Sequence, residues 1–152
     1  MARVRTISTL ILTLTLALSS CREGVRYHRF SSLPQEGWSC RDTLCFVPDS
    51  DCMRGDNRFW IEVRLDCDFP YAALPLTVEQ RGGQCSQREH LSIPLSSDGR
   101  RLNGKGLRLL QYRNGPFELQ PGTKEVRIWH NAGNVKLIGI RDLGLEIREA
   151  RP

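Results

Sequence analysis

Apolar and polar residues alternate along most of this chain with a period of two. Phe59, Ile61, Val63, Leu65 and Cys67 share one parity, and Trp60, Glu62, Arg64 and Asp66 the other, as a strand with one buried face requires. The same alternation recurs from Leu74 to Glu79, from Leu91 to Leu95, from Glu125 to Trp129 and from Leu143 to Arg148, with a shorter run from Thr43 to Val47. Pro75 and Pro94 fall inside two of these runs. Proline has no ladder donor, so those strands are expected at edges or with bulges. Turn-forming clusters separate the runs: Asp49-Ser50-Asp51, Arg81-Gly82-Gly83, Asp98-Gly99, Asn103-Gly104, Asn114-Gly115-Pro116 and Pro121-Gly122. Helical spacing is confined to Leu107, Leu109, Leu110 and Tyr112, which predict at most a turn or two of helix. Many short strands with dense turns predict an all-β sandwich or barrel. Its expected core is Phe59, Ile61, Val63, Leu65, Leu91, Ile93, Val126, Ile128, Leu145 and Ile147.

The first twenty residues follow a different pattern. Arg3 and Arg5 precede an apolar run from Ile7 to Leu18, and small residues close it at Ser19 and Ser20. A basic start, an apolar middle and a small-residue end read as an export signal. The run is too short to cross ~30 Å of hydrocarbon as a helix at ~1.5 Å per residue. The ending Leu18-Ser19-Ser20-Cys21 resembles a lipobox, the signal of bacterial lipoproteins. That resemblance implies a thioether-linked diacylglycerol on Cys21, cleavage between Ser20 and Cys21, and N-acylation of the new amine. Each buried methylene contributes ~0.8 kcal/mol, so several chains on one residue form a lasting anchor. The expected organisation is a signal peptide over 1–20, a short tether over 21–26 and one domain over 27–150. At ~3.3–3.6 Å per residue the tether holds the domain within roughly 20 Å of the bilayer.

Composition narrows the function classes. Removing Arg3 and Arg5 lowers the formal charge from +5 to +3, and what is left is mixed in sign with no long basic run. Nucleic-acid binding has little support, whereas a mild positive charge suits a position beside anionic headgroups. Five cysteines follow Cys21: Cys40, Cys45, Cys52, Cys67 and Cys85. Their odd number leaves at least one thiol outside any intramolecular bridge, and the spacing does not fix the connectivity. A hairpin between the runs at 43–47 and 59–65 would bring Cys40 and Cys67 together as a candidate disulfide. If those runs lie in opposing sheets, that register disappears. No clustered Cys or His spacing indicates a metal site. Asp49, Asp51 and Asp56 share a loop but match no EF-hand.

Catalytic signatures are missing from the sequence. His28, His90 and His130 are scattered, and no Gly-x-Ser-x-Gly or His-Glu-x-x-His motif occurs. The expectation is a non-enzymatic protein without a cofactor other than its covalent lipid. Trp60 and Trp129 fall on the polar parity of their strands. They form either an aromatic surface for a glycan or protein partner, or core beneath a covering element.

Taken in order, several segments resemble the gliding-motility lipoprotein family GldH of Bacteroidetes. They are the lipobox; Tyr27-His28-Arg29-Phe30 with Gly37-Trp38; Asp68-Phe69-Pro70-Tyr71; Ile93-Pro94-Leu95; Asp98-Gly99-Arg100; Gly104-Lys105-Gly106-Leu107; and Gly139-Ile140-Arg141-Asp142 running into Leu143-Gly144-Leu145-Glu146-Ile147. The five later cysteines depart from the family pattern. The resemblance implies a lipid-anchored envelope component of the gliding or type IX secretion machinery, with envelope proteins as partners. The two C-terminal strand runs also resemble jelly-roll carbohydrate-binding modules. The expected fold is therefore a single antiparallel β-sandwich, jelly-roll-like, and a surface glycan-binding lipoprotein is the alternative function. Export signals of this phylum are acid-rich just after the lipidated cysteine. Here Arg22-Glu23-Gly24-Val25-Arg26 carries one acid between two arginines, which implies retention on the periplasmic side, and Arg22 stands where enteric lipoproteins of the inner membrane have aspartate, which implies the outer membrane.

Overall fold

The computed structural model of this chain describes residues 24–50, 54–83, 85–95, 100–104 and 107–150, with the side chains of 85, 100–104, 107 and 108 left aside. The signal peptide, the Ser20–Cys21 cleavage site and Cys52 lie outside the described residues. Among the described residues nine strands follow one another: β1 (Val25–Ser32), β2 (Leu44–Phe46), β3 (Asn57–Asp66), β4 (Ala73–Gly82), β5 (Cys85–Pro94), β6 (Arg100–Gly104), β7 (Leu107–Leu119), β8 (Glu125–His130) and β9 (Ile140–Glu149). The first begins at Val25, inside the segment expected to be tether.

Two sheets result. One has the order β1-β9-β3-β7-β6 and the other β2-β8-β4-β5, and every pairing is antiparallel. Apart from the hairpins β4–β5 and β6–β7, strands adjacent in space are distant in sequence, because the chain passes back and forth between the sheets. This interleaving is the jelly-roll arrangement, with β6 added as an extra edge strand beside β7. The expected all-β sandwich is therefore the fold.

The period-two pattern explains the core. Phe59, Ile61, Val63 and Leu65 of β3 face Leu74, Leu76 and Val78 of β4 and Val126 and Ile128 of β8, all nearly inaccessible to water. Leu143, Leu145 and Ile147 of β9 complete the layer, and Leu91 packs against it partly buried. Trp38, in the β1–β2 connection, closes one side through a bridge to Leu137 and is fully buried.

Four expectations need correction. Residues 107–112 are not helical but open β7, the longest strand, because their apolar positions are satisfied by the ladder to β3. Asn114-Gly115-Pro116 does not separate two strands. It is a bulge within β7, where Gly115 and Pro116 together stand opposite Trp60, one residue more than the ladder needs. Pro75 lies in β4, a central strand, but ahead of the ladder to β8, which begins at Leu76, so its missing N–H breaks no pairing there. Finally, β2 pairs with β8 while β3 belongs to the other sheet. The hairpin that would have joined Cys40 to Cys67 does not exist, and Cys40, Cys45 and Cys67 are free thiols.

Candidate functional site

In a sandwich each strand sends alternate side chains outward, and here both outward faces carry carboxylates almost wholly withdrawn from water. On the five-stranded sheet the register places His28 opposite Glu146 and Glu146 opposite Trp60. The next row runs Phe30, Gly144, Glu62 and Arg113. A side chain at Gly144 would meet the Phe30 ring at 2.7 Å, so glycine there lets the ring lie flat. Arg64 covers that ring, 3.7 Å from its centroid.

Glu62 and Glu146 are each no more than 5% exposed, with carboxylate oxygens within 4.8 Å of one another. Burial, then the interaction with the Glu146 carboxyl, pushes the Glu62 carboxyl above its ordinary 4.5. Burial pushes the same way at Glu146, but hydrogen bonds from Arg113, Arg148 and Glu62 outweigh it and hold that group below its ordinary value. Arg113 Nε lies 3.0 Å from Glu146, Arg148 Nε donates to the other carboxylate oxygen, and Gln111 donates to Glu62. His28 Nε2 is 3.2 Å from Glu62. Trp60 is half-buried beneath Arg113 and Arg148, at 4.5 and 5.8 Å from its ring centroid. Gly115, at φ +136°, would bring a Cβ within 2.8 Å of both Phe59 O and the Trp60 ring, so only glycine lets the bulge pass over the indole.

His28, Glu62 and Glu146 offer ligand-type atoms within 4.8 Å of one another. The same carboxylates already receive two guanidinium groups. Their donor set is engaged, and the flanking arginines oppose a further cation.

The four-stranded sheet repeats the theme with a different charge count. One transverse row reads Cys45, Arg127, Glu79 and Arg88. Glu79 is 5% exposed, with Arg81 Nε at 2.7 Å, Arg88 Nη2 at 2.8 Å and Arg127 Nη1 at 3.8 Å. The hydrogen bond from Arg88 leads in holding its carboxyl below the ordinary value, against burial. Trp129 is half-buried one row away, with Arg88 5.3 Å from its ring centroid. The two tryptophans thus lie on opposite outer faces. They do not form the shared aromatic surface that the sequence pattern allowed, and neither belongs to the inner core.

The histidines are occupied structurally. His130 is buried, with Nε2 3.0 Å from Trp38 O and Nδ1 3.4 Å from the Ala132 N–H. Burial draws its pKa below 6.5, so the neutral ring donates through Nε2 and accepts at Nδ1. His90 Nδ1 lies 3.0 Å from the Thr77 hydroxyl. A hollow of about 520 Å³ opens at the end of the sandwich where β1 begins, with Asn57, Phe117 and Ala150 in its wall.

The sequence pattern singled out both tryptophans but missed Glu62, Glu79 and Glu146. The usable signal was a carboxylate on the outward parity of a long strand, shared with a tryptophan only at Glu62. The partners come from other strands and required the register.

The model of the GldH lipoprotein family matches residues 25–147, from the first residue of β1 to Ile147 near the end of β9. The chain belongs to the GldH lipoprotein family. Comparison with curated proteins gave no match. The matched segment holds both outer-face clusters except Arg148, and membership makes the chain a membrane-anchored envelope lipoprotein of a gliding-motility context.

Proposed function

We propose that this GldH-family chain is a non-enzymatic, lipid-anchored component supporting the gliding or type IX secretion machinery at the outer membrane. The family match over residues 25–147 carries the reading. The lipobox-like Leu18-Ser19-Ser20-Cys21, three residues ahead of β1, supports the anchor. A diacylglycerol and an N-acyl chain on Cys21 hold the domain, and the partners are envelope proteins of the machinery. The carboxylates described above are neutralised by arginines, and His130 is locked by two hydrogen bonds, which supports a scaffold over a catalyst. The sparse acidity of Arg22-Glu23-Gly24-Val25-Arg26 favours the periplasmic face.

Depleting the protein should impair secretion or surface assembly. Normal secretion, assembly and envelope integrity after depletion would refute the reading. Metabolic labelling with a fatty acid should mark the wild type and not Cys21→Ala, and protease added to intact cells should spare the domain. Digestion without permeabilising the outer membrane would place it on the surface.

A further inference from the structure

The outer face of the four-stranded sheet holds a recess of about 150 Å³ bounded by Glu79, Arg81, Arg88, Arg127 and Trp129, with Cys40 and Thr43 at its rim. Three guanidinium groups converge there on one carboxylate, leaving an excess of two positive charges in the wall. Glu125 faces Arg81 across the ladder but is not part of the wall. Arg127 Nε is buried and has no hydrogen-bond partner among the described residues, and its Nη1 approaches Glu79 only to 3.8 Å. Glu79 alone therefore does not use the hydrogen-bonding capacity of Arg127. On the opposite face, two arginines meet two carboxylates and no such surplus exists.

We propose that this recess is a binding site for a phosphate group. A dianion matches the excess charge, and phosphate oxygens suit the fork geometry of guanidinium groups better than they suit a point charge. The volume admits one such group and excludes a large ligand head. The guanidinium N–H groups that Arg81, Arg88 and Arg127 turn to the recess reach its oxygens without releasing Glu79. Gln80, beside Arg81, hydrogen-bonds to Glu118 O and Gln120 N–H. Their neighbour Leu119 pairs with Asn57, and Asn57 with Glu149, whose N–H reaches Gly24 O. The recess therefore lies toward the end of the sandwich where β1 starts. The phosphate is carried by a lipid headgroup or arrives on a soluble molecule. The first source rests on the lipid-anchored reading above and the site itself does not.

The test uses the purified mature lipoprotein in non-ionic detergent, with its thermal midpoint as readout. Inorganic phosphate at about ten times its dissociation constant should raise the midpoint by roughly 5 °C beyond sodium chloride of equal ionic strength. The rise should saturate, vanish in Arg127→Gln and Arg88→Gln, and persist in Arg58→Gln on the other sheet. Arg88 lies on an edge strand with a side chain 56% exposed, so its variant folds even if Arg127→Gln does not. No rise beyond chloride, or a rise that survives Arg88→Gln, overturns the site. Micelles doped with phosphatidic acid then assign the source. If they abolish the phosphate response by occupying the site, the ligand is a headgroup. If they leave it intact while phosphate still binds, the ligand is soluble. Failure of the phosphate response leaves the Cys21 labelling result, and with it the anchor, untouched.

Discussion

The two outer faces of this sandwich use the same parts to opposite effect. Each places a carboxylate near the middle of a central strand, covers it with arginines and sets a tryptophan beside it. On the five-stranded sheet, Glu62 and Glu146 lie together beneath Arg113 and Arg148, and His28 and Gln111 close the remaining approaches. On the four-stranded sheet, Glu79 alone faces Arg81, Arg88 and Arg127, and one guanidinium donor is left over. A balanced cluster satisfies itself and fastens strands together. An unbalanced one keeps unused hydrogen-bonding capacity and charge, which is what a ligand site needs. The ratio of acid to base on a sheet face, more than the residue types, separates the two roles.

The largest expected effects test whether the faces share one foundation. Ile61 lies under the first cluster and Ile128 under the second, both fully buried. Ile61→Ala and Ile128→Ala should each destabilise by about 2–5 kcal/mol in urea unfolding. A cost far below that range in one of them would show that its sheet is not anchored in the common core.

Charge removal should then separate the faces. Glu79→Gln and Glu146→Gln each take the acceptor from charged donors and should cost about 1–2 kcal/mol. The figure stays small because solvent screens arginines that are 39–56% exposed. Glu62→Gln should cost less, since burial already works against the ionised Glu62 carboxyl and the amide keeps its shape. A loss at Glu62→Gln equal to that at Glu146→Gln would break the contrast between the two carboxyls.

The pH dependence should have opposite signs. Glu62 has a raised folded pKa, so its contribution is present below 4.5 and lost as pH rises through the elevated value. Glu79 has a lowered folded pKa, so its contribution is present above 4.5 and lost as pH falls through the depressed value. Thermal midpoints of Glu62→Gln and Glu79→Gln, each subtracted from wild type across pH 3–7, should slope in opposite directions, and the His130 contribution cancels in both differences. Slopes of the same sign would refute the contrast.

The smallest effects concern the indoles. Trp60→Leu loses two guanidinium contacts and Trp129→Leu one. Losses of about 0.5–1 kcal/mol are expected, greater at Trp60, and double-mutant cycles with Arg113 and Arg88 measure them.

The sequence alone determined the strands and their buried faces. Alternation in β3, β4, β8 and β9 is a local property with a period of two, so Phe59, Ile61, Ile128 and Leu145 could be assigned inward without knowing any neighbour. The cysteine ending the signal-like start was equally legible, because its neighbours in sequence form the motif. What tertiary structure decided was pairing. Leu107 to Tyr112 carried a helix-like spacing that long-range ladder bonds with β3 overrode, and the turn-like Asn114-Gly115-Pro116 became a bulge because Trp60 needed the space above it. Cys40 and Cys67 could be joined only by a hairpin that the jelly-roll crossing forbids. Glu62 meets Glu146, and Arg127 meets Glu79, across strands separated by scores of residues. No local pattern encodes such contacts; they follow from the order in which antiparallel strands insert between one another.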